Sequence, residues 1–315
     1  MPEKAVDWGG KTLNSNESQA DRSAAPTLDH LGWIGPDLAA GAAAWERLGF
    51  TLSRVSPQMG YTGPGGTLEP WASANRCAVF AEGYLELIGL TDPARHNPWA
   101  AYLARGAGPH IAAFRVAAAD AAYPPLAARV GGFDPPVQRR RMAPVGLDPA
   151  EGEIEMRFRN IFSQDADWPE GRFIVIEHQT PEALWQPALT RHPNGAEALV
   201  EAVFAAPDPA PTIDRLSRLL DRPARPVPGG AEIVAAGGGK ITTLDSEALR
   251  RRFPGAAPPD RPAVAAAVVR VADLGAAAAH AAANGVDLAE APEGARYALG
   301  AETGADAGRG VIAFV

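Results

Sequence analysis

The chain has 315 residues, a length that predicts two domains rather than one, and 46% of its residues are hydrophobic, enough for a sizeable core. A formal net charge of −8 argues against nucleic acid or an anionic membrane as the main partner. The single cysteine, Cys77, excludes a disulfide within the chain and a cysteine-rich zinc site. Its apolar neighbours predict a buried thiol.

Residues 1–26 are mostly small and polar and contain no apolar stretch that is typical of a signal peptide. No segment approaches the ~20 apolar residues that a membrane span needs. We therefore expect a cytoplasmic protein with a flexible N-terminal tail at 1–26. Its partner would be a small-molecule substrate, with no role for nucleic acid or membrane and with a homodimer as the candidate assembly.

The first elements along the chain follow the order β-α-β-β-β. Pro36 and Asp37 are typical of the first turn of a helix, and Gly49 is typical of the residue that ends one. The predicted elements are a strand at 27–34, a helix at 36–48, a strand at 50–55, a glycine- and proline-rich loop at 57–70, and strands at 75–81 and 84–90.

The same order begins again three times along the chain. The second round has a strand at 109–116, a helix at 117–130 and strands near 152–162 and 172–179. The third has a strand at 196–204, a helix capped by Thr212 and strands near 231–236 and 240–244. The fourth has a strand at 263–271, an alanine-rich helix ended by Asn284 and Gly285, and a strand at 311–315. We interpret the run from Arg139 to Arg141 as a solvated turn rather than a phosphate site.

Four rounds of one pattern predict an α+β fold of four βαβββ modules. The module starts are roughly 70–85 residues apart, which fits compact supersecondary units. Two such modules can pair into one domain of ordinary size. We predict a first domain at 27–180, a proline-containing linker at 181–195 and a second domain at 196–315.

Three side chains of the first domain have the chemistry of metal ligands. His30 and His110 stand near the start of the first strand in modules one and two, so we expect them to face one central cavity. Glu86 lies mid-strand among apolar residues, where a carboxylate needs a cation or a strong hydrogen-bond partner. Two imidazoles and a carboxylate suit Fe2+, Mn2+, Zn2+ or Ni2+. The sequence therefore predicts a divalent metal site at His30, Glu86 and His110.

His178 ends the last predicted strand of module two, the element equivalent to the strand that holds Glu86. Alternation allows only one of Glu177 and His178 to face the cavity, and the apolar Ile174 and Ile176 share the phase of His178. We predict His178 as a fourth ligand or, if it is not a ligand, as the general base.

Strand phase also predicts residues around the substrate. Arg76 would orient an anionic substrate group or form a surface salt bridge. The second half of the chain is predicted to be a structural or substrate-covering partner, because its strands at 263–271 and 311–315 contain neither histidine nor glutamate. The predicted pocket walls are Tyr84, Phe114, Phe158 and Trp185.

Several short motifs carry a resemblance to a known family. They are Leu28-Asp29-His30-Leu31-Gly32, Leu48-Gly49-Phe50, Asn75-Arg76-Cys77, Tyr84-Leu85-Glu86-Leu87, and His178-Gln179-Thr180-Pro181-Glu182 followed by Trp185. On these residues the chain resembles the vicinal oxygen chelate (VOC) superfamily, in particular its glyoxalase-like proteins, over residues 27–205. The resemblance implies two glyoxalase/dioxygenase-like domains whose paired modules curl around a divalent metal ion. The ligand positions it implies are His30, Glu86, His110 and His178.

The resemblance implies a metal-dependent lyase or isomerase whose small substrate chelates the metal through adjacent oxygens, with Glu86 and His178 as catalytic residues. Four modules also resemble the arrangement of extradiol dioxygenases, although those enzymes usually carry the metal in the C-terminal half. Two alternatives follow. One is an extradiol-type iron(II) dioxygenase, and the other is a non-catalytic small-molecule-binding protein of the resistance type.

Overall fold

The fold is described by a computed structural model for residues 25–61, 66–306 and 309–315. The tail predicted at 1–26 therefore lies almost entirely outside the described residues. Within them the strands form two eight-stranded sheets, one from each half of the chain. No helix in these three ranges is both long and apolar enough to cross a membrane.

The first sheet consists of β1 (Thr27–Gly35), β2 (Ser56–Tyr61), β3 (Leu68–Val79), β4 (Tyr84–Leu90), β5 (Gly108–Arg115), β6 (Val137–Pro144), β7 (Glu153–Phe162) and β8 (Arg172–His178). The second consists of β9 (Ala196–Ala205), β10 (Arg225–Val227), β11 (Gly230–Val234), β12 (Lys240–Leu244), β13 (Ala263–Val271), β14 (Ala289–Glu290), β15 (Arg296–Ala298) and β16 (Val311–Phe314). The α-helices are α1 (Leu38–Arg47), α2 (Ala100–Leu103), α3 (Ala119–Arg129), α4 (Ala210–Leu220), α5 (Ser246–Arg252) and α6 (Leu274–Ala283).

Each sheet is made of two βαβββ modules joined side by side through their first strands. The strand order is β2-β3-β4-β1-β5-β8-β7-β6 in the first sheet and β10-β11-β12-β9-β13-β16-β15-β14 in the second. The first strand of every module runs parallel to the last strand of its own module and antiparallel to the first strand of the neighbouring module. This topology confirms the predicted α+β fold of four paired modules.

Three local predictions are wrong. No strand forms at 50–55, where Phe50 is buried in the core. The segment predicted as a loop at 57–70 instead contains most of β2 and the first residues of β3. The run from Arg139 to Arg141 is not a turn but the middle of β6, which pairs with β7. Thr212 lies inside α4 rather than at its cap, and its hydroxyl donates to Glu170. In each case contacts with a distant segment determine the local structure, and a short window of sequence does not contain them.

The first helix links the two halves of the chain. It begins because the Asp37 carboxylate accepts hydrogen bonds from the backbone N–H groups of Ala39 and Ala40, at 2.8 and 3.1 Å. Its Trp45 side chain is completely buried, and the indole Nε1 donates to the backbone oxygen of Thr303 at 2.8 Å. A residue of the first module is thereby bonded to a residue of the fourth.

The largest hydrophobic core contains residues of both sheets. Phe114 of β5 stacks on Phe173 of β8 with ring centroids 6.2 Å apart, and Phe173 stacks on Phe204 of β9 at 5.8 Å. All three rings are completely buried. Side chains alternate along a strand, so the neighbours of these phenylalanines on each strand face the opposite side of the sheet. That side of each sheet is here called the front face. On the first sheet the front face carries Ile111 and Ile174.

The front face of the second sheet is filled by its own chain. Leu249 of α5 and the following Phe253 pack with Val203 and Val268 in one buried cluster. Tyr297 packs against Phe253 with ring centroids 5.4 Å apart. This face is therefore a second hydrophobic core.

A buried ion pair lies at the edge of this second core. Glu201 accepts two hydrogen bonds of 2.7 Å from Arg252 and one of 2.6 Å from Thr242. Burial by itself raises the pKa of Glu201, but the hydrogen bonds and the charge of Arg252 outweigh it and hold the pKa below its ordinary value. The carboxylate is thus ionised and fully engaged by the protein.

Replacement of Arg252 by alanine leaves the buried Glu201 carboxylate without its main cation. We expect the free energy of unfolding to fall by about 3 kcal/mol or more, measured by urea unfolding at pH 7. Arg250→Ala removes an exposed arginine of the same helix and is the matched control. It should change stability by less than about 0.5 kcal/mol, and equal losses in both variants would contradict this role of Arg252.

Candidate functional site

A bulge in β1 directs two adjacent polar residues to the front face of the first sheet. Leu28 pairs with Phe114 and His30 pairs with Ala113, so Asp29 is an extra residue on β1. Regular alternation would send Asp29 and His30 to opposite faces. The bulge interrupts the alternation, and both side chains contact residues of the front face.

Asp29 is completely buried and is held by two histidines. Nε2 of His178 lies 3.1 and 3.0 Å from the two carboxylate oxygens, and Nδ1 of His30 lies 3.7 Å from Oδ2. Burial by itself raises the pKa of Asp29. The hydrogen bonds from His178 and the proximity of both imidazoles outweigh burial and hold the pKa of this carboxyl well below its ordinary range. Asp29 is therefore an ionised carboxylate shared between two imidazoles.

His30 connects Asp29 to a second carboxylate. Its Nε2 lies 4.0 Å from Oε2 of Glu86, and its ring stacks on Tyr84 with centroids 4.2 Å apart. Oε1 of Glu86 accepts a hydrogen bond of 2.5 Å from Nδ2 of Asn75 on β3. The Glu86 side chain is 15% exposed and that of His30 only 3%, so solvent reaches the site from the side of Glu86.

Cys77 lies next to this site but does not contribute chemistry to it. It is the register partner of Glu86 on β3 and is a buried free thiol, as predicted. Burial raises the pKa of the thiol, and the charge of Glu86 raises it further. The thiol therefore stays protonated and is a poor nucleophile.

Aromatic side chains surround His178. Trp185 and Tyr84 contact its ring edge-on, with centroid separations of 5.0 and 6.4 Å. Phe158 of β7 is the register partner of His178. The guanidinium of Arg115 lies 5.5 Å from the centre of the Trp185 ring. Three of the predicted wall residues, Tyr84, Phe158 and Trp185, thus lie beside His178.

The structure does not bring His110 to this site, which corrects its prediction as a ligand. Its Nε2 donates a hydrogen bond of 2.7 Å to the backbone oxygen of Gly106, and its ring lies 5.6 Å from that of Tyr102. Burial lowers the pKa of His110 to about 4 despite this hydrogen bond. His110 is therefore a neutral imidazole with a structural hydrogen bond.

The cause is an offset of one residue between the two modules. His30 stands seven residues before the residue that caps α1, whereas the residue seven before the cap of α3 is Ile111. A side chain at Gly32 on β1 would meet Ile111, so Ile111 shares the front face. His110 is one residue earlier and corresponds to Asp29 rather than to His30. It is also an extra residue on its strand, since Gly32 pairs with Ile111 and Trp33 with Pro109.

Two predicted pocket residues lie on the side of the sheet opposite the front face. Phe114 has the phase of Ala112, and both are buried in the core between the sheets. Arg76 pairs with Glu46 of α1 at 2.9 Å and donates to the backbone oxygen of Ser53 at 2.8 Å. Neither residue lines the front face. Arg76 forms a salt bridge, which was the alternative to its predicted contact with an anionic substrate group.

The predicted four-ligand metal centre does not fit this arrangement. Among the residues that the structure describes, no group of three or more His, Cys, Asp or Glu side chains is placed to hold a metal ion. Nε2 of His178 is engaged by Asp29, and one oxygen of Glu86 by its amide partner. Nδ1 of His30 is buried without a hydrogen-bond partner in the described part of the chain. This single unbonded imidazole nitrogen is not enough to form a metal centre.

Sequence reasoning missed two members of the site, Asp29 and Asn75. Alternation assigns Asp29 to the face opposite His30, and no residue type in this stretch announces a bulge. A signal for Asn75 was available. The antiparallel pairing of the predicted strands at 75–81 and 84–90 puts Asn75 near Glu86, two residues from its register partner.

Comparison with known proteins agrees with this architecture. Residues 28–220 match the family model described as a glyoxalase-like domain. The chain therefore belongs to this glyoxalase-like family, within the VOC superfamily. No curated protein matches the chain in sequence.

Solved structures with the same two-sheet fold share little sequence with the chain. A triple mutant of 4-hydroxymandelate synthase from Streptomyces coelicolor is similar with a TM-score of 0.59 and 12% identity, over 92% of each chain. A hypothetical protein from Staphylococcus aureus has a TM-score of 0.58 and 9% identity, over 91% of this chain and 98% of that one. A fusion of a xylose isomerase-like TIM barrel with 4-hydroxyphenylpyruvate dioxygenase has a TM-score of 0.54 and 14% identity, over 93% of this chain and 49% of that one. These likenesses establish the fold of a glyoxalase/dioxygenase-like protein.

Asp29→Asn should destabilise the protein more at pH 7 than at pH 3.5. Because the pKa of Asp29 is depressed in the folded state, its contribution is complete above the carboxyl pKa of the unfolded chain and is lost below it. With an unfolded pKa of ~3.9, the difference between wild type and variant should shrink by about 0.7 kcal/mol, measured by urea unfolding. Asp37→Asn removes an exposed carboxylate but keeps a good helix cap, and should show no such change. The same pH dependence in both variants would contradict the buried pair.

His110→Ala should leave the metal content of the protein unchanged, because His110 contacts neither His30 nor Glu86 among the described residues. Elemental analysis after incubation with Fe2+, Mn2+, Zn2+ or Ni2+ measures this, with His30→Ala and Glu86→Ala in parallel. If all three variants lost a stoichiometric metal, His30, Glu86 and His110 would be metal ligands as the sequence predicts, and the placement of His110 away from the site would be wrong.

Proposed function

We propose that the chain is a VOC enzyme that transfers protons on a small substrate, in a reaction of the lyase or isomerase type. The observation that supports this is the buried pair of Asp29 and His178 on the front face of the first sheet. Burial of charged groups costs free energy, and clusters of them with displaced pKa values are common where acid–base chemistry takes place. On the second sheet the described residues include no histidine–carboxylate pair.

His178 is the proposed general base. Because its Nε2 donates to the Asp29 carboxylate, the neutral ring carries its proton on Nε2 and keeps a lone pair on Nδ1. Asp29 would fix the orientation of the ring and stabilise the imidazolium that forms when Nδ1 takes a proton from the substrate. Imidazole is the side chain that enzymes use most often for this step.

Glu86 is the proposed second proton-transfer group. It is more exposed than His30, His178 or Asp29, and its Oε1 is held by Asn75. Two proton-transfer groups allow a substrate to lose a proton at one atom and gain one at another, as an isomerase requires. The same two groups also suit a lyase, which removes a proton and assists the departure of a leaving group.

Two other functions use the same face. An iron(II) dioxygenase needs two histidines and a carboxylate free to bind the metal, but Nε2 of His178 is engaged by Asp29. The neighbours with a dioxygenase or synthase name are 12% to 14% identical to the chain. Identity this low supports a shared fold but not a shared activity. The second alternative is a protein that binds a small molecule on this face and catalyses no proton transfer.

Solvent deuterium incorporation tests the proposal without knowledge of the natural substrate. The protein is incubated in D2O with α-hydroxyketones, α-hydroxyaldehydes and 2-oxo acids, all of which carry adjacent oxygens. Exchange at the carbon next to the carbonyl group is followed by proton NMR. The wild type should accelerate exchange in at least one compound, and His178→Gln and Asp29→Asn should each slow that exchange by about a hundredfold or more.

His96→Gln is the control, since His96 is an exposed histidine in a loop of the same half of the chain. It should keep the wild-type rate of exchange. Wild-type rates in His178→Gln and Asp29→Asn would overturn the proposed acid–base role. If the wild type bound members of the panel and exchanged none of them, the protein would be a binding protein.

A further inference from the structure

Arg139 and Arg172 face the front of the first sheet on the side away from β1. Arg139 of β6 pairs with Phe158 of β7, which packs in the front-face cluster. Arg172 begins β8 and has the phase of Ile174, a member of the same cluster. Arg140 follows Arg139 on β6 and points to the opposite side of the sheet, because side chains alternate along a strand.

The two guanidinium groups meet at one aromatic ring. The guanidinium carbons of Arg139 and Arg172 lie 5.6 and 4.8 Å from the centre of the Phe162 ring, and that of Arg172 lies 5.8 Å from Trp99. Burial lowers the pKa of Arg139, and the charge of Arg172 lowers it further. Two like charges are thus held close enough to repel each other.

No acidic side chain compensates this repulsion in the described residues. None lies within the 4.0 Å of a salt bridge from Arg139 or Arg172, and neither guanidinium donates a hydrogen bond there. The arginines on the other face of β7 differ, since Arg159 pairs with Asp120 at 2.6 Å and Arg157 lies 3.8 Å from Glu155. Arg139 is exposed and Arg172 is half-buried, so an anion from solvent can reach both guanidinium groups.

The strand register relates the backbone of Arg139 to that of the proposed base. Phe158 is the partner of Arg139 on one side and of His178 on the other. Arg139 and His178 therefore stand at the same level on the front face, two strands apart, which corresponds to about 10 Å between their backbones. The guanidinium groups themselves meet at Phe162, which pairs with Ile174, four residues before His178 and about 13 Å along the strand. A molecule that contacts both the arginines and His178 must therefore be elongated.

We propose that Arg139 and Arg172 bind the anionic group, a carboxylate or a phosphate, of the substrate that reacts at His178. This inference rests on the proposed function, since it makes the front face the substrate site. A guanidinium donates two parallel hydrogen bonds to a carboxylate or phosphate, and the rings of Phe162 and Trp99 hold the guanidinium planes by cation–π contact. The substrate class is then an elongated anion whose reacting carbon lies far from its charged group.

Ligand binding by isothermal titration calorimetry tests this, with benzoate and phenyl phosphate as probes and neutral benzamide as their uncharged counterpart. The wild type should bind at least one anion more tightly than benzamide, and the comparison of the two anions identifies the preferred group. Arg139→Gln and Arg172→Gln should each weaken anion binding by about tenfold or more, because each removes a charge-assisted hydrogen bond. Arg140→Gln, an exposed neighbour on the same strand, is the matched control and should have less than a twofold effect.

Equal affinity of the wild type for benzamide and both anions would overturn the anion site, as would unchanged binding in folded Arg139→Gln and Arg172→Gln. Thermal melts establish that these variants are folded. Binding and deuterium exchange are separate measurements. If anion binding is lost in the arginine variants but the wild type exchanges no substrate, the anion site stands and the proposed chemistry fails. If exchange depends on His178 while the arginine variants bind anions normally, the proposed chemistry stands and the anion site fails.

Discussion

Removal of an ionised carboxylate from water costs several kcal/mol unless the charge is paired and hydrogen-bonded, and Asp29 is completely buried. Its partners come from two places, with His30 beside it on β1 and His178 at the end of β8. Because Asp29 belongs to the first module and His178 to the second, the pair forms only when both modules share one sheet. The orientation of the His178 ring and the proposed chemistry both depend on this contact.

The two sheets have the same topology but use their front faces differently. In the second sheet α5 and Phe253 fill that face, and the one buried acid there, Glu201, is matched by Arg252 from the same helix. In the first sheet the equivalent face keeps polar side chains with unequal exposure, from the buried Asp29 to the partly open Glu86. One fold thus provides one half whose front face is a hydrophobic core and another half whose front face carries the polar groups of the proposed site, since function depends on the site and not on the scaffold.

The element order could be read from the sequence because each module repeats it, and hydrophobic periodicity together with glycine and proline positions marks most elements. The phase of β8 was also predictable, since Ile174 and Ile176 indicate which side His178 faces. Edge strands were not predictable in the same way. β6 lies at the edge of the sheet and carries three consecutive arginines, and charged residues on an edge strand resemble a loop in sequence.

The sequence by itself determined the four-module fold and the strands that carry His30, Glu86 and His178. Only the tertiary structure decided which of the candidates meet. The bulge that puts Asp29 and His30 on one face and the offset of one residue that separates His110 from the position of His30 are both shifts in strand register. Strand phase depends on pairing with strands far along the chain, and a shift of one residue reverses the face of a side chain without changing the local pattern of residue types.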